Sequence, residues 1–235
     1  MKGVDSMHSN GEQYDDAFEQ LLRSGDKGSA VLYALERFTK CSADILCFYR
    51  FYQDFLLPPL YRWDCNSEVE AKCIWNEHML SSTIRTIIEA LYPHVVRLAR
   101  EQFPEPNKPK VVVLCPEEEY HDIGARVISD YFLLHGFDSI HVGANTPTKA
   151  IMAALPTLQP EFVSISVTNP IHLVSTRKMI QTIRESMQAS IQIVVGGKAF
   201  SANPSKAQEI GADKLLESFD DIGTLLEWRE KGVES

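Results

Sequence analysis

Lys110 to Gly124 reads KVVVLCPEEEYHDIG, and its reading decides the fold. A short apolar run, Val111 to Leu114, stops at Cys115-Pro116; acidic residues, Tyr120 and His121 follow, and a helical pattern begins near Asp122. A buried strand followed at once by a helix is the opening of a β/α unit. The same alternation continues to the end of the chain. Strands are expected at 110–115, 139–142, 162–167, 191–195 and 214–216, and helices at 122–135, 147–155, 171–186, 205–210 and 220–229. Five strands with intervening helices predict an open parallel sheet covered on both faces, a flavodoxin- or Rossmann-like domain over 110–235.

Upstream the pattern is helical. Residues 1–13 are polar and are expected to lack order. A helix over 14–22 ends near Gly25, Ser29 is expected to cap a second over 30–40, and a third over 42–57 is stopped by Pro58-Pro59. Ser67 and Glu70 form a capping box for a long helix reaching about Phe103. Helices joined by short loops favour a four-helix bundle over 14–103. PEPNKP, residues 104–109, reads as the linker between the two domains. The aromatic stripe Phe48 to Phe55 reads as bundle core or as a dimer face, which makes a homo-oligomer, a dimer, the expected assembly.

Composition narrows the class. The chain has 235 residues, 44% hydrophobic and 23% charged, as in ordinary globular proteins. A net charge of −9 without a Lys/Arg run argues against direct nucleic-acid or anionic-membrane binding. No apolar run is long enough to span a bilayer, and no signal-peptide core opens the chain. Five scattered cysteines without CxxC spacing read as reduced thiols in a cytoplasmic protein.

Three loops of the α/β half share one rim, the carboxyl edge where open sheets bind ligands. The first carries Glu119-Tyr120-His121-Asp122-Ile123-Gly124, the second Ser166-Val167-Thr168, the third Gly196-Gly197. Taken singly, each has a plain structural reading: a surface histidine, local backbone hydrogen bonding, a turn. Their spacing gives them weight. After Glu119-x-His121-x-x-Gly124 come 41 residues, then Ser166-x-Thr168, then 27 residues, then Gly196-Gly197. This resembles the cobalamin-binding domain shared by methionine synthase, corrinoid carrier proteins and cobalamin-dependent photoreceptors. The resemblance implies that His121 is the lower axial ligand of cobalt, replacing the cofactor's own base. It implies that Glu119, where most of the family has Asp, orients that imidazole, with Asp122, Ile123 and Gly124 completing the binding loop. Ser166, Thr168, Gly196 and Gly197 would accommodate the nucleotide tail.

The helical half bears on the upper face of the cofactor. Trp63 is followed by Glu77-His78, a pair that resembles the signature of adenosylcobalamin photoreceptors. By that resemblance Glu77 and His78 mark the adenosyl side, Glu77 bonding the ribose and Trp63 packing over the upper ligand. Asp64 stands where those photoreceptors carry the histidine that takes cobalt after light. The plain readings are core packing for Trp63 and Trp75 and an exposed helix face for Glu77-His78. The winged-helix domain of photoreceptor regulators is not expected in the short acidic stretch before the bundle, so output would pass through a partner protein or through assembly. The expectation is therefore a non-enzymatic cobalamin light sensor that holds adenosylcobalamin. The alternative is a methyl-carrying corrinoid subunit of a methyltransferase system, with methylcobalamin. A flavodoxin-like module without cobalt is the third reading.

Overall fold

The computed structural model describes residues 15–40, 44–63, 68–187 and 191–232, with side chains to 227. The chain divides at Leu91/Tyr92 into two compact units.

In the helical unit, α1 (Asp16–Ser24) is capped by the Asp15 carboxylate, which accepts from Phe18 N–H, and ends at Gly25 with φ 75°. A β-carbon at Gly25 would lie 2.5 Å from Met79 Cε, so the left-handed turn and the close approach both require glycine. α2 (Lys27–Thr39) is capped by Asp26, not by Ser29 as expected; Ser29 supplies the N–H that Asp26 accepts. An aspartate offers a charged acceptor to the amides of the first turn, which Ser29, already inside the helix, cannot do.

α3 (Ile45–Arg50) runs on into a π-helical segment, Phe51–Leu56. Pro58 and Pro59 cannot donate, and the Leu57 N–H reaches back five residues to Tyr52 O at 2.9 Å. The prolines end this segment as expected but also start α4 (Pro58–Arg62), because proline suits the first helical position. The aromatic stripe is core: Phe48, Phe51, Tyr52 and Phe55 are buried, and Phe55 stacks on Phe18 at 4.4 Å. The expected capping residue Ser67 lies outside the described residues. α5 (Glu70–Gln102) continues through Pro93, which removes one rung of its ladder. Cys47 and Cys73 are disulfide-bonded, so the expectation of reduced thiols fails for both; among the described cysteines Cys115 is free. Spacing along a sequence is silent on which β-carbons meet in space.

The last turns of α5 go with the α/β unit. Arg126 lies 4.6 Å over the Tyr92 ring, and Phe103 packs under Gly136. β1 (Lys110–Leu114), β2 (Asp138–Gly143), β3 (Phe162–Ser166), β4 (Gln192–Gly196) and β5 (Lys214–Leu216) form one parallel sheet in the order β2-β1-β3-β4-β5. Alternate residues Val112, Leu114, Val163, Ile165, Ile193 and Val195 share a buried cluster with α7 (Thr148–Leu158) and α8 (Leu173–Met187). Each such aliphatic burial contributes about 1.5–3 kcal/mol. α6 (Ile123–Leu133) packs on β1 and β2, and α10 (Phe219–Gly232) packs on α6. α9 (Lys206–Glu209) lies against β5. The architecture is the expected one: a helical N-terminal region followed by a five-stranded, flavodoxin-like parallel sheet. In this strand order the direction of winding reverses between β1 and β3, which opens a crevice at their carboxyl ends. Among the described residues no helix is long and apolar enough to cross a membrane.

Candidate functional site

At the end of β1 the chain leaves the sheet through Cys115-Pro116 and turns at Glu118, which takes φ 69°. The turn drives Glu119 inward until it is fully buried, an unusual place for a glutamate. Every lobe of its carboxylate is used. Oε1 accepts from the His121 backbone N–H at 3.0 Å and from the His121 ring Nδ1 at 2.6 Å. Oε2 accepts from the backbone N–H groups of Thr168 (2.9 Å) and Asn169 (2.8 Å), beyond the end of β3. Burial alone pushes the Glu119 carboxyl up, but the hydrogen bonds from Asn169, His121 and Thr168 outweigh it and hold the group below the usual range. One anionic side chain thus ties the loops on either side of the β1/β3 crevice.

The His121 side chain remains 56% exposed. With Nδ1–H given to the carboxylate, Nε2 carries the lone pair and is the nitrogen open to a metal. A carboxylate on the far nitrogen also fixes the ring's orientation. Among the described residues no three His, Cys, Asp or Glu side chains gather into a metal cluster. A single outward imidazole of this kind fits a metal that arrives within a macrocycle supplying its remaining ligands.

Asp122 is buried at the N-cap position of α6, where its carbonyl accepts from Arg126 N–H at 2.8 Å. Ile123 is half-buried and Gly124 exposed. A β-carbon on Gly124 would lie 3.7 Å from Ser166 Oγ, so the glycine and the buried serine hydroxyl face one another across the crevice. Thr168 is half-buried. Gly196 and Gly197 have a reason internal to the fold. A β-carbon on Gly197, at φ 105°, would meet Val167 O at 2.4 Å, and one on Gly196 would meet Leu216 O at 3.0 Å. Both glycines let backbone approach backbone.

Two residues outside the sequence motifs belong to this rim. Cys115 packs beneath the loop, its thiol 3.8 Å from His121 O, and burial, then the charges of Asp122 and Glu119, push it up to about 12. Asn145, after β2, exchanges two hydrogen bonds with Glu118 and Glu119. The only sequence signal for it is the turn composition of Gly143-Ala-Asn-Thr-Pro147.

The remaining candidates lie in the helical unit. Trp63 is half-buried with the Arg23 guanidinium 4.6 Å over its ring. Glu77 and His78 are exposed on α5. Trp75 is 67% exposed, which excludes core packing for it. Asp64 lies outside the described residues.

Residues 109–222 match the B12 binding domain family. Among curated relatives, the HTH-type transcriptional repressor CarA of Myxococcus xanthus is 24% identical over 145 residues, 61% of this chain and 45% of the relative. A corrinoid protein of Desulfitobacterium hafniense is 26% identical over 116 residues, 49% of this chain and 53% of the relative. The chain thus spans about half the length of the curated relatives it matches. In fold it is similar to the monomethylamine corrinoid protein of Methanosarcina barkeri, with a TM-score of 0.70 at 15% identity, covering 90% of this chain and 95% of that one. It is also similar to the methanol:cobalamin methyltransferase complex of the same organism, with a TM-score of 0.50 at 14% identity over 99% of this chain and 87% of that one. The residues that match the B12 binding domain family, 109–222, are those that carry the five-stranded sheet and the His121 rim.

Proposed function

We propose that this protein is a cobalamin-dependent light sensor, with His121 as the protein's ligand to cobalt. The observation that carries the ligand assignment is the 2.6 Å bond between His121 Nδ1 and buried Glu119, which leaves Nε2 for the metal. Bound adenosylcobalamin would supply a cobalt–carbon bond that light can break. Glu119 fixes the imidazole's direction, and the crevice between Gly124 and Ser166 would receive the nucleotide tail beside Thr168, Gly196 and Gly197. Asp122 and Ile123 hold the start of α6 beneath it.

The sensor half of the reading rests on Trp63, Glu77 and His78. It gains support from the similarity to CarA, whose matched stretch is longer than the run from residue 109 to the chain's end and so enters the helical half. In this reading Trp63 offers an aromatic plane to the adenosyl group and Glu77 accepts from its ribose. Output would come through a change of assembly, with a homodimer as the starting point, or through a protein partner. No catalysis is assigned to the chain.

A second reading, a methyl-carrying corrinoid protein that serves a methyltransferase, draws on the likeness to the monomethylamine and Desulfitobacterium corrinoid proteins. One set of spectra separates the two. The purified protein is mixed with adenosylcobalamin in the dark, freed of excess, and measured before and after green light, with light scattering on the same samples. Retention with a light-induced spectral change and altered assembly is the expected result. Retention without a light response, together with preference for methylcobalamin, favours the carrier. Failure to retain any cobalamin overturns both. His121→Ala should give the spectrum of a cofactor lacking protein imidazole; an unchanged spectrum removes the ligand assignment.

A further inference from the structure

The β2–α7 loop holds the His121 loop from the side opposite β3. Asn145 N–H donates to Glu119 O at 2.8 Å, and Glu118 N–H donates to Asn145 Oδ1 at 2.8 Å. The asparagine thus clips both ends of the Glu118–Glu119 pair, using its backbone and its side chain together. Both partners pay in backbone conformation: Glu118 sits at φ 69° and Asn145 at φ 47°, the left-handed region that few side chains tolerate. Asparagine is among the few that do, because its short polar side chain can bond locally. The clip is set on a firm base. Thr146 N–H donates to Cys115 O at 3.1 Å, Cys115 N–H to Gly143 O at 2.9 Å, and buried Thr146 Oγ1 to Gly143 O at 3.2 Å.

The Glu119 side chain leaves the backbone at the point Asn145 clips. Its two oxygens then reach His121 on one side and the Thr168 and Asn169 amides on the other. A carboxylate fixed only at its far end could swing about its own Cα; fixing the main chain on both sides of that Cα removes this freedom. We infer that Asn145 is a positioning residue for His121: through the Glu118–Glu119 peptides it sets the direction in which Nε2 is presented to a ligand of the rim. Neither the residue's exposure nor its place after β2 would have singled it out.

The inference rests on His121 being the cobalt ligand, and the test separates the two. Three variants divide the contributions of Asn145. Asn145→Gly keeps the backbone N–H and relieves the left-handed strain but lacks Oδ1. Asn145→Ala lacks Oδ1 and keeps the strain. Asn145→Asp retains an acceptor and a tolerable backbone. In the cofactor-free protein, ¹⁵N NMR of His121 should show one tautomer, protonated at Nδ1, in wild type and Asn145→Asp, and a mixture in Asn145→Gly and Asn145→Ala. Loaded with hydroxocobalamin, the Gly and Ala variants should lose roughly tenfold in affinity and show a fraction of His-off spectrum, with Asn145→Asp restoring both. Circular dichroism melts of all three confirm that the fold is present; the Gly variant, free of strain, is the one that must fold. If His121→Ala changes the spectrum while Asn145→Gly leaves tautomer, spectrum and affinity at wild-type values, the positioning role is overturned and the ligand assignment stands. If His121→Ala changes nothing, the ligand assignment fails, and the tautomer measurement still decides whether Asn145 orients the ring.

Discussion

The rim of the α/β unit and the helical unit hold their candidate residues in opposite ways. On the rim, Glu119 is fully buried and binds four donors, Asn145 clips the peptides beside it, and Gly197 lies against Val167 O. Little can move there without breaking several bonds at once. In the helical unit, Glu77 and His78 stand exposed on α5, and Trp63 is held by the guanidinium of Arg23, itself paired with Glu19 at 2.6 Å. Under the proposed function, preorganisation is concentrated where the candidate cobalt ligand would have to keep one direction, and the side chains proposed to meet an exchangeable group remain adjustable. Exposed ion pairs and cation–π contacts are worth about 1 kcal/mol or less, small enough for a ligand to displace.

Glycine substitution breaks this comparison most sharply. Gly197→Ala places a β-carbon 2.4 Å from a carbonyl oxygen at a φ of 105°, and should cost about 3 kcal/mol or more in urea unfolding of the α/β unit. Gly28→Ala, inside α2 with nothing closer than the Asp26 carboxylate at 3.7 Å, should be neutral or stabilise by up to about 1 kcal/mol. Equal effects at the two positions would show that the rim is no tighter than the bundle. Next in size is Glu119. Glu119→Ala removes the acceptor for four N–H groups and is expected to weaken cobalamin binding by about 10–100-fold. Glu119→Gln should fall between, because an amide nitrogen cannot accept from the donors that face it. Titration calorimetry with hydroxocobalamin reads both.

Much of this was legible in the sequence because the signals are local. Val111 to Leu114 has the length and β-branched content of a buried strand, the strand–helix alternation put three loops on one edge, and the intervals from His121 to Ser166 and Gly196 carried the resemblance to the cobalamin-binding domain. The cap at Asp26 was missed because Ser29 offers a similar oxygen three residues later, and only the backbone path separates them. The π-helical turn at Phe51–Leu56, with Leu57 N–H on Tyr52 O, leaves no signal in apolar periodicity. Glu119 was read as a partner of His121, but its second oxygen binds amides some fifty residues away, a contact that exists only once β3 lies beside β1. Asn145 was overlooked for the same reason. Its partners come from across the sheet, and its own neighbourhood reads as an ordinary turn.

Trp63 gives a smaller effect that sharpens the contrast from the helical side. Trp63→Ala should weaken adenosylcobalamin binding by about tenfold while leaving hydroxocobalamin, which lacks the adenosyl plane, near wild type; the loss corresponds to about 1–3 kcal/mol of stacking. Equal losses for both cobalamins would return Trp63 to a packing role under Arg23.

The smallest expected effect is a pH dependence confined to one unit. His135, on the far side of α6 from the rim sequence, is held by desolvation below its ordinary value, against the opposing pulls of Tyr131 O at 2.8 Å and the Asp220 charge. Its ring packs on Phe219 at 4.1 Å and against Gly223. The folded state therefore binds this proton less readily than the unfolded chain. The stabilisation is complete above the unfolded value of about 6.5 and is lost as pH falls through the lower folded value. In the helical unit, Asp26 is also lowered, by its bonds to Ser29, but its window opens only near pH 4 and below. Between pH 7.5 and 5.5, protection factors, with the intrinsic pH dependence of exchange divided out, should fall at amides of α6 and α10 and stay level in α1 and α2. His135→Gln should flatten the α6 and α10 response. Loss of protection in both units together in that window would mean that they unfold as one, and that the difference in how they are held does not extend to their stability.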